Sequence, residues 1–198
     1  MMKISRMLTE NNISRVPIVD EHERLIGIVT DRDIKEASPS KATTLDMHEL
    51  YYLLSELKAR DIMTADPVFV TPDDTVEDVA QLMLDKRLTG LPVVDEDKKV
   101  VGIITEHDIF KVLVEITGVR YGGLQIALLV EDVPGAMRPI FDTTAEFGAN
   151  VITILTSDGP AGPDNRIVYI RFHAMDADKE KQLIDVVGKK FDLLYWTH

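Results

Sequence analysis

One stretch of this chain occurs twice, and the second copy follows the first at a fixed distance. Val16-Pro17-Ile18-Val19-Asp20-Glu21 returns as Leu91-Pro92-Val93-Val94-Asp95-Glu96. Gly27-Ile28-Val29-Thr30-Asp31-Arg32-Asp33-Ile34 returns as Gly102-Ile103-Ile104-Thr105-Glu106-His107-Asp108-Ile109. Both pairs are offset by the same 75 residues, with no slippage between them. A repeat present only twice favours an intramolecular pair about an approximate twofold axis over an open solenoid. The seam of such a pair presents two related clefts, a natural seat for a small ligand.

The second copy reads as strand, helix, strand, strand, helix. Val68-Phe69-Val70 is extended, and Thr71–Thr75 is turn material. Thr75 with Asp78 resembles a helix-start box, after which Val76, Val79, Ala80 and Met83 keep helical spacing. Leu91–Val94 and Val100–Ile104 form a hairpin around Asp95–Lys99, and a helix runs from Glu106 to Thr117, where Gly118 ends it. In the first copy the counterpart of Val68–Val70 would precede residue 1. That predicts about twenty further residues upstream, or a start at an internal methionine. If Met1 is the true start, one sheet edge is unpaired.

Between the copies Ser38-Pro39-Ser40 marks a break, and Leu45–Lys58 reads as a connector helix with Leu50, Leu53, Leu54 and Leu57 on one face. Tyr121-Gly122-Gly123 marks a domain boundary. Beyond it Leu124, Ile126, Leu128 and Val130 alternate as a half-buried strand. Asp132-Val133-Pro134-Gly135 turns into a helix carrying Met137, Ile140, Phe141 and Thr144. Strands over Val151–Leu155 and Ile167–Phe172, a helix over Lys179–Lys190 and a strand over Asp192–Trp196 complete a β-α-β-β-α-β order. The division expected is therefore 1–57, 58–118 and 122–198, in an α/β (α+β) chain.

Charge narrows the partners. The 198 residues carry a net charge of −12, with 34 acidic against 22 basic side chains. Residues 1–118 hold −9 of it and the remainder −3. Neither part supplies the basic surface that nucleic acid or an anionic membrane would require. A phosphate is still compatible, because backbone N–H groups and single cations bind anions inside acidic proteins. The chain has no cysteine, which removes disulfides, thiolate metal sites and a thiol nucleophile, and fits a cytoplasmic protein. The five histidines are scattered and show no metal-ligand spacing. No nucleophile–base pair and no Gly-x4-Gly-Lys phosphate loop is visible, so no catalytic residue is assigned.

The hydrophobic-Pro-Val-Val-Asp strand and the Gly-hydrophobic-hydrophobic-Thr-x-x-Asp strand end, each present twice over residues 1–117, resemble the CBS domain, whose tandem copies form a Bateman module. The remainder resembles an ACT domain of ferredoxin-like βαββαβ fold, on Asp132-Val133-Pro134-Gly135, Gly148-Ala149-Asn150-Val151 and the strand order. Together they resemble the acetoin-utilisation AcuB family. The CBS resemblance implies a non-catalytic regulator that binds AMP, ADP, ATP or S-adenosylmethionine, without an obligatory cofactor. It implies that each cleft joins the Thr–Asp junction of one copy to an adenine pocket of the other.

On that basis one cleft combines Ile28, Thr30, Arg32 and Asp33 with Thr64, Pro67, Phe69, Leu88 and Thr89. The aspartate would take the ribose hydroxyls, and Arg32 a phosphate. The other combines Ile103, Thr105 and Asp108 with only Ile13 and Ser14, and is expected to bind more weakly. His107 stands there in the place of Arg32. The alternative for Asp33 and Asp108 is a helix-capping role. For the C-terminal part the ACT resemblance implies a small-ligand site at Val133, Gly135, Ala136, Asn150 and Val151, or pairing into a homodimer; a plain turn and strand entry is the other reading. A structural oligomerisation module with degenerate clefts, and an enzyme, are the competing functions.

Overall fold

The repeat predicts that equivalent residues should meet each other, since only positions on a twofold axis can touch their own counterparts. The computed structural model describes residues 1–37, 56–159 and 161–198. It divides into one unit over Met1–Ile109 and another over Phe110–His198.

In the first unit, helix α1 (Met2–Glu10) precedes a hairpin of β1 (Arg15–Val19) and β2 (Leu25–Thr30), then α2 (Asp31–Ala37). After the short α3 (Ala59–Ile62) and β3 (Thr64–Ala65), helix α4 (Val76–Lys86) precedes the hairpin of β4 (Gly90–Val94) and β5 (Val100–Thr105). Helix α5 (Glu106–Ile116) follows and crosses into the second unit. The duplication holds at the level of single torsions. Both hairpins carry an irregularity at the same place, between Ile18 and Val19 and between Val93 and Val94. The left-handed residues Asn12 and Glu23 recur as Arg87 and Lys98. Asp20 accepts from the backbone N–H groups of His22 and Arg24, as Asp95 does from those of Asp97 and Lys99.

The axis is visible in the hydrogen bonds. Leu25 N–H donates to Lys98 O, and its counterpart Val100 N–H to Glu23 O, with a bridge between the equivalent residues Arg24 and Lys99. Each repeat has its own small core: Leu8, Val16, Val29 and Ile34 in one, Val70, Val79, Met83 and Leu91 in the other.

Two expectations change. Among the described residues, the strand placed at Val68–Val70 contributes one bridge, Val70 to Val93. The paired segment comes earlier, at Thr64–Ala65, and joins β2 of the other repeat. Asp66 is left-handed and Pro67 has no N–H, so the ladder stops between the two. The connector helix expected over 45–58 lies outside the described residues up to 55, with Tyr51-Tyr52. At its expected end Glu56 is helical, while Lys58 is extended and instead caps α3.

In the second unit the order is β6 (Gln125–Glu131), α6 (Arg138–Glu146), β7 (Val151–Ser157), β8 (Asn165–Phe172), α7 (Ala177–Lys190) and β9 (Asp192–Thr197). The four strands lie in the order β7-β8-β6-β9, and every neighbouring pair is antiparallel. This is the split βαβ topology. Leu124, Ile126, Leu128, Val168, Ile170 and Phe172 from the sheet pack on Ile140, Leu183 and Val187 from the helices.

Candidate functional site

At each strand-to-helix junction of the pair, a threonine and an aspartate close on one another. Thr30 N–H and Thr30 Oγ1 both donate to Asp33 Oδ2, at 2.7 and 2.8 Å. Thr105 does the same to Asp108 Oδ2, at 3.0 and 2.7 Å. This is a capping geometry, and Thr71–Asp74 and Thr75–Asp78 repeat the side-chain bond elsewhere. What sets Thr30–Asp33 and Thr105–Asp108 apart is their place at equivalent ends of β2 and β5, beside the seam. The cap also orients the aspartate, with Asp33 using one oxygen and keeping the other clear of hydrogen bonds among the described residues.

The structure brings Ile13, Ser14, Ile103 and Thr105 together. They line a hollow of about 580 Å³ with Asn12, Arg15, Thr89, Glu106 and His107. That volume lies within the roughly 300–1,000 Å³ of small-molecule pockets. Asp108 stands behind it, bonded to Thr105. Of the other set, Ile28 and Thr64 face each other across β2 and β3. Phe69 is exposed, Pro67 half-buried, and Leu88 packs against the core of the second repeat.

Two residues of that set have other partners. Thr89 lines the hollow on the Thr105 side, together with its counterpart Ser14. Arg32 pairs with Glu36 one helical turn on, Nε to Oε1 at 2.7 Å, and its side chain is largely in solvent. That ion pair raises the pKa of Arg32.

The cation at the seam is Arg15. Its Nη1 donates to Gly90 O at 3.1 Å and its Nη2 to the hydroxyl of Thr89. Arg15 and Gly90 are equivalent positions, so the guanidinium of one copy occupies the space that the other copy leaves by having no side chain. A Cβ on Gly90 would stand 2.7 Å from Arg15 Nη1. Arg15 Nε is buried without a hydrogen bond. Burial lowers the guanidinium pKa, while the charges of Glu106 and Asp31 raise it. It stays charged at any physiological pH. The signal that could have found it was the mismatch itself, a long cation aligned with a glycine.

The C-terminal candidates do not form one group within a chain. β6 and β7 both run antiparallel to β8 and therefore start at the same end of the sheet. Asn150 and Val151 lie at that end, where Asn150 O accepts from His173 N–H. Val133, Gly135 and Ala136 lie past the far end of β6. Gly135 is left-handed (φ 85°), which explains the glycine without a ligand. Among the described residues no group of three or more His, Asp or Glu side chains could hold a metal, and no helix is long and apolar enough to cross a membrane.

The family model for the CBS domain matches residues 1–40 and 59–115, the two repeats. A CBS domain-containing protein of Dictyostelium discoideum is 32% identical over 111 residues, which are 56% of this chain and 77% of that protein. The chain belongs to the CBS-domain family. Within the family, it is 36% identical over 108 residues to L-aspartate semialdehyde sulfurtransferase of Methanocaldococcus jannaschii, covering 54% of this chain but 18% of that enzyme. A homoserine O-acetyltransferase of Methanohalobium evestigatum is 31% identical over 111 residues, 56% of this chain and 20% of the enzyme. The chain thus spans about a fifth of the length of these two enzymes. Among solved structures, the CBS domain pair of protein MJ0100 with 5′-methylthioadenosine and S-adenosyl-L-methionine is 33% identical. The alignment covers 57% of this chain and 79% of that one, with a TM-score of 0.46. CBSX2 in complex with AMP is 28% identical, covering 59% and 82%, with a TM-score of 0.48.

Proposed function

We propose that this protein is a non-catalytic regulator that binds an adenine nucleotide, or S-adenosylmethionine, between its CBS repeats. The carrying observation is the pair of Thr–Asp junctions set symmetrically about a seam that holds Arg15 and an open hollow. Asp33, with one oxygen clear, suits a ribose diol; Arg15 suits a phosphate or a carboxylate. The cleft of Ile28, Thr30 and Asp33 has the fuller wall, because Thr64 lies alongside Ile28. The cleft of Thr105 and Asp108 is the weaker site, because among the described residues no strand pairs with the outer edge of β5.

The match takes in only 18% and 20% of the two enzymes, which supports a regulatory part rather than a catalytic one. The βαββαβ unit supports an ACT-like role, sensing a small ligand or pairing two chains. The order of domains supports a regulator of the AcuB type, with a partner enzyme as its target, and a sequence without cysteine fits the cytoplasm. A bound ligand shifts the repeats only by its difference in affinity for their two arrangements.

The test is calorimetric titration of ATP, AMP and S-adenosylmethionine into the full chain and its Asp33→Ala and Asp108→Ala variants. Saturable binding, lost with Asp33→Ala and kept with Asp108→Ala, is the expected result. Loss with Asp108→Ala alone reverses the choice of cleft; no binding by the wild type favours the structural module, and product formation the enzyme.

A further inference from the structure

The C-terminal sheet has helices on one face. Its other face carries two rungs of side chains, read from the strand register: Leu155, Tyr169, Ala127 and Tyr195, and next to them Thr153, Arg171, Gln125 and Thr197. Small Ala127, fully buried, lies between two tyrosines in its rung. The chain leaving α5 lies against this face: a Cβ on Gly118 would meet Ile152 Cγ2 at 2.5 Å and Arg171 Cδ at 3.5 Å. Thr117, Gln125, Thr153, Leu155, Tyr169, Arg171 and Tyr195 enclose a hollow of about 230 Å³.

Arg171 is only 6% exposed. Its Nε donates to Thr117 O at 3.1 Å and its Nη2 to Gln125 Oε1. Gln125 in turn donates from Nε2 to the hydroxyl of Tyr195 at 3.5 Å. All these acceptors are neutral. Nη1 makes no hydrogen bond, and no carboxylate lies within ion-pair distance, among the described residues. Arg166, on the same strand, shows the usual solution: Asp132 at 2.8 Å and Asp158 at 3.6 Å. A guanidinium cannot shed its proton to escape burial, so it needs a counter-charge.

We propose that this hollow binds a small monocarboxylate, whose carboxylate supplies the charge that Arg171 lacks. The size and walls limit the rest of the molecule. The space is smaller than the hollow in the CBS pair, and Leu155, Tyr169 and Tyr195 offer apolar surface to a short hydrocarbon tail. Thr153 and Tyr195 place hydroxyls near the carboxylate. The site is separate from the Val133–Ala136 turn and does not depend on nucleotide binding.

The experiment uses the full chain, isovalerate as probe and isovaleramide as its uncharged counterpart. Calorimetry and the 15N–1H resonance of Arg171 Nε are the readouts. Isovalerate should bind saturably at one site per chain and move that resonance; isovaleramide should do neither. Arg171→Gln should weaken binding about tenfold or more. Tyr195→Ala alters a half-exposed residue on an edge strand. It should weaken binding severalfold with the fold intact, even where Arg171→Gln unfolds. An Arg171 resonance that isovalerate leaves unmoved overturns the proposal. So does one moved by inorganic phosphate instead, or by protein dilution, which would show a second copy supplying the acid.

Discussion

The two repeats share a backbone down to an irregular register and two left-handed residues, yet their flanks differ. Val19 is 42% exposed and its counterpart Val94 is 1% exposed. Gly27 lies under Met63, where a Cβ would overlap the methionine sulfur; its counterpart Gly102 has nothing nearer than Val93 Cβ at 3.9 Å. The cause is one segment, residues 63–70, which covers both repeats at different points. Met63 and Thr64–Ala65 close the edge of β2 in the first repeat. Val70 closes the edge of β4 in the second, exchanging hydrogen bonds with Pro92 and Val94. Among the described residues nothing does the same for β1 or β5, and Val101 and Ile103 are left exposed. Duplicated hairpins therefore do not make equivalent repeats; the strand that each borrows does.

Paired substitutions can break this comparison. The largest effect belongs to Gly27→Ala, which drives a methyl into Met63 and should cost about 2–3 kcal/mol in urea unfolding. Gly102→Ala, in open space, should change stability by less than about 0.5 kcal/mol. Equal losses at the two glycines would mean that both edges are covered. Next comes Val94→Ala, which removes buried methyl groups and should cost about 2 kcal/mol; Val19→Ala should cost well under half of that.

Asp33→Ala and Asp108→Ala sharpen the comparison from the other side. Both remove the same cap, so each should lose about 1 kcal/mol without ligand. Any larger gap between them should appear only with nucleotide present, read as a difference in melting temperature shift. The smallest effect is in the hairpin turns. The backbone N–H of Arg24 above all, with that of His22, lowers the pKa of Asp20. A carboxylate held more acidic in the folded state contributes stability above its unfolded pKa and loses it as pH falls through the folded value. A 13C titration of Asp20 should therefore show a midpoint below the ordinary aspartate range, and Asp20→Ala should flatten the acid limb of the stability curve. A midpoint at the ordinary value would contradict the turn geometry.

Local rules made much of this legible. Thr75 caps its helix through Asp78, Gly118 takes the left-handed turn after α5, and the alternation from Leu124 to Val130 marks a strand with one face in the core. Arg15 was not legible. Repeat alignment keeps positions where the copies agree, and Arg15 acts because its counterpart is a glycine. Nor was the ion pair of Arg32 with Glu36 legible in the repeat, because Glu36 lies outside the duplicated motif. The ACT resemblance groups Val133 with Asn150, and only strand direction shows that within one chain they lie at opposite ends of the sheet.

By itself the amino-acid order determined the duplicated hairpins, their caps and turns, and the βαββαβ succession, since each depends on residues within a few positions of one another. Tertiary structure alone decided which strand covers which repeat, that Arg15 fills the seam, and that Arg171 is buried without an acid. Those outcomes depend on distances between segments far apart in the chain, where packing and desolvation choose the partners and periodicity carries no information.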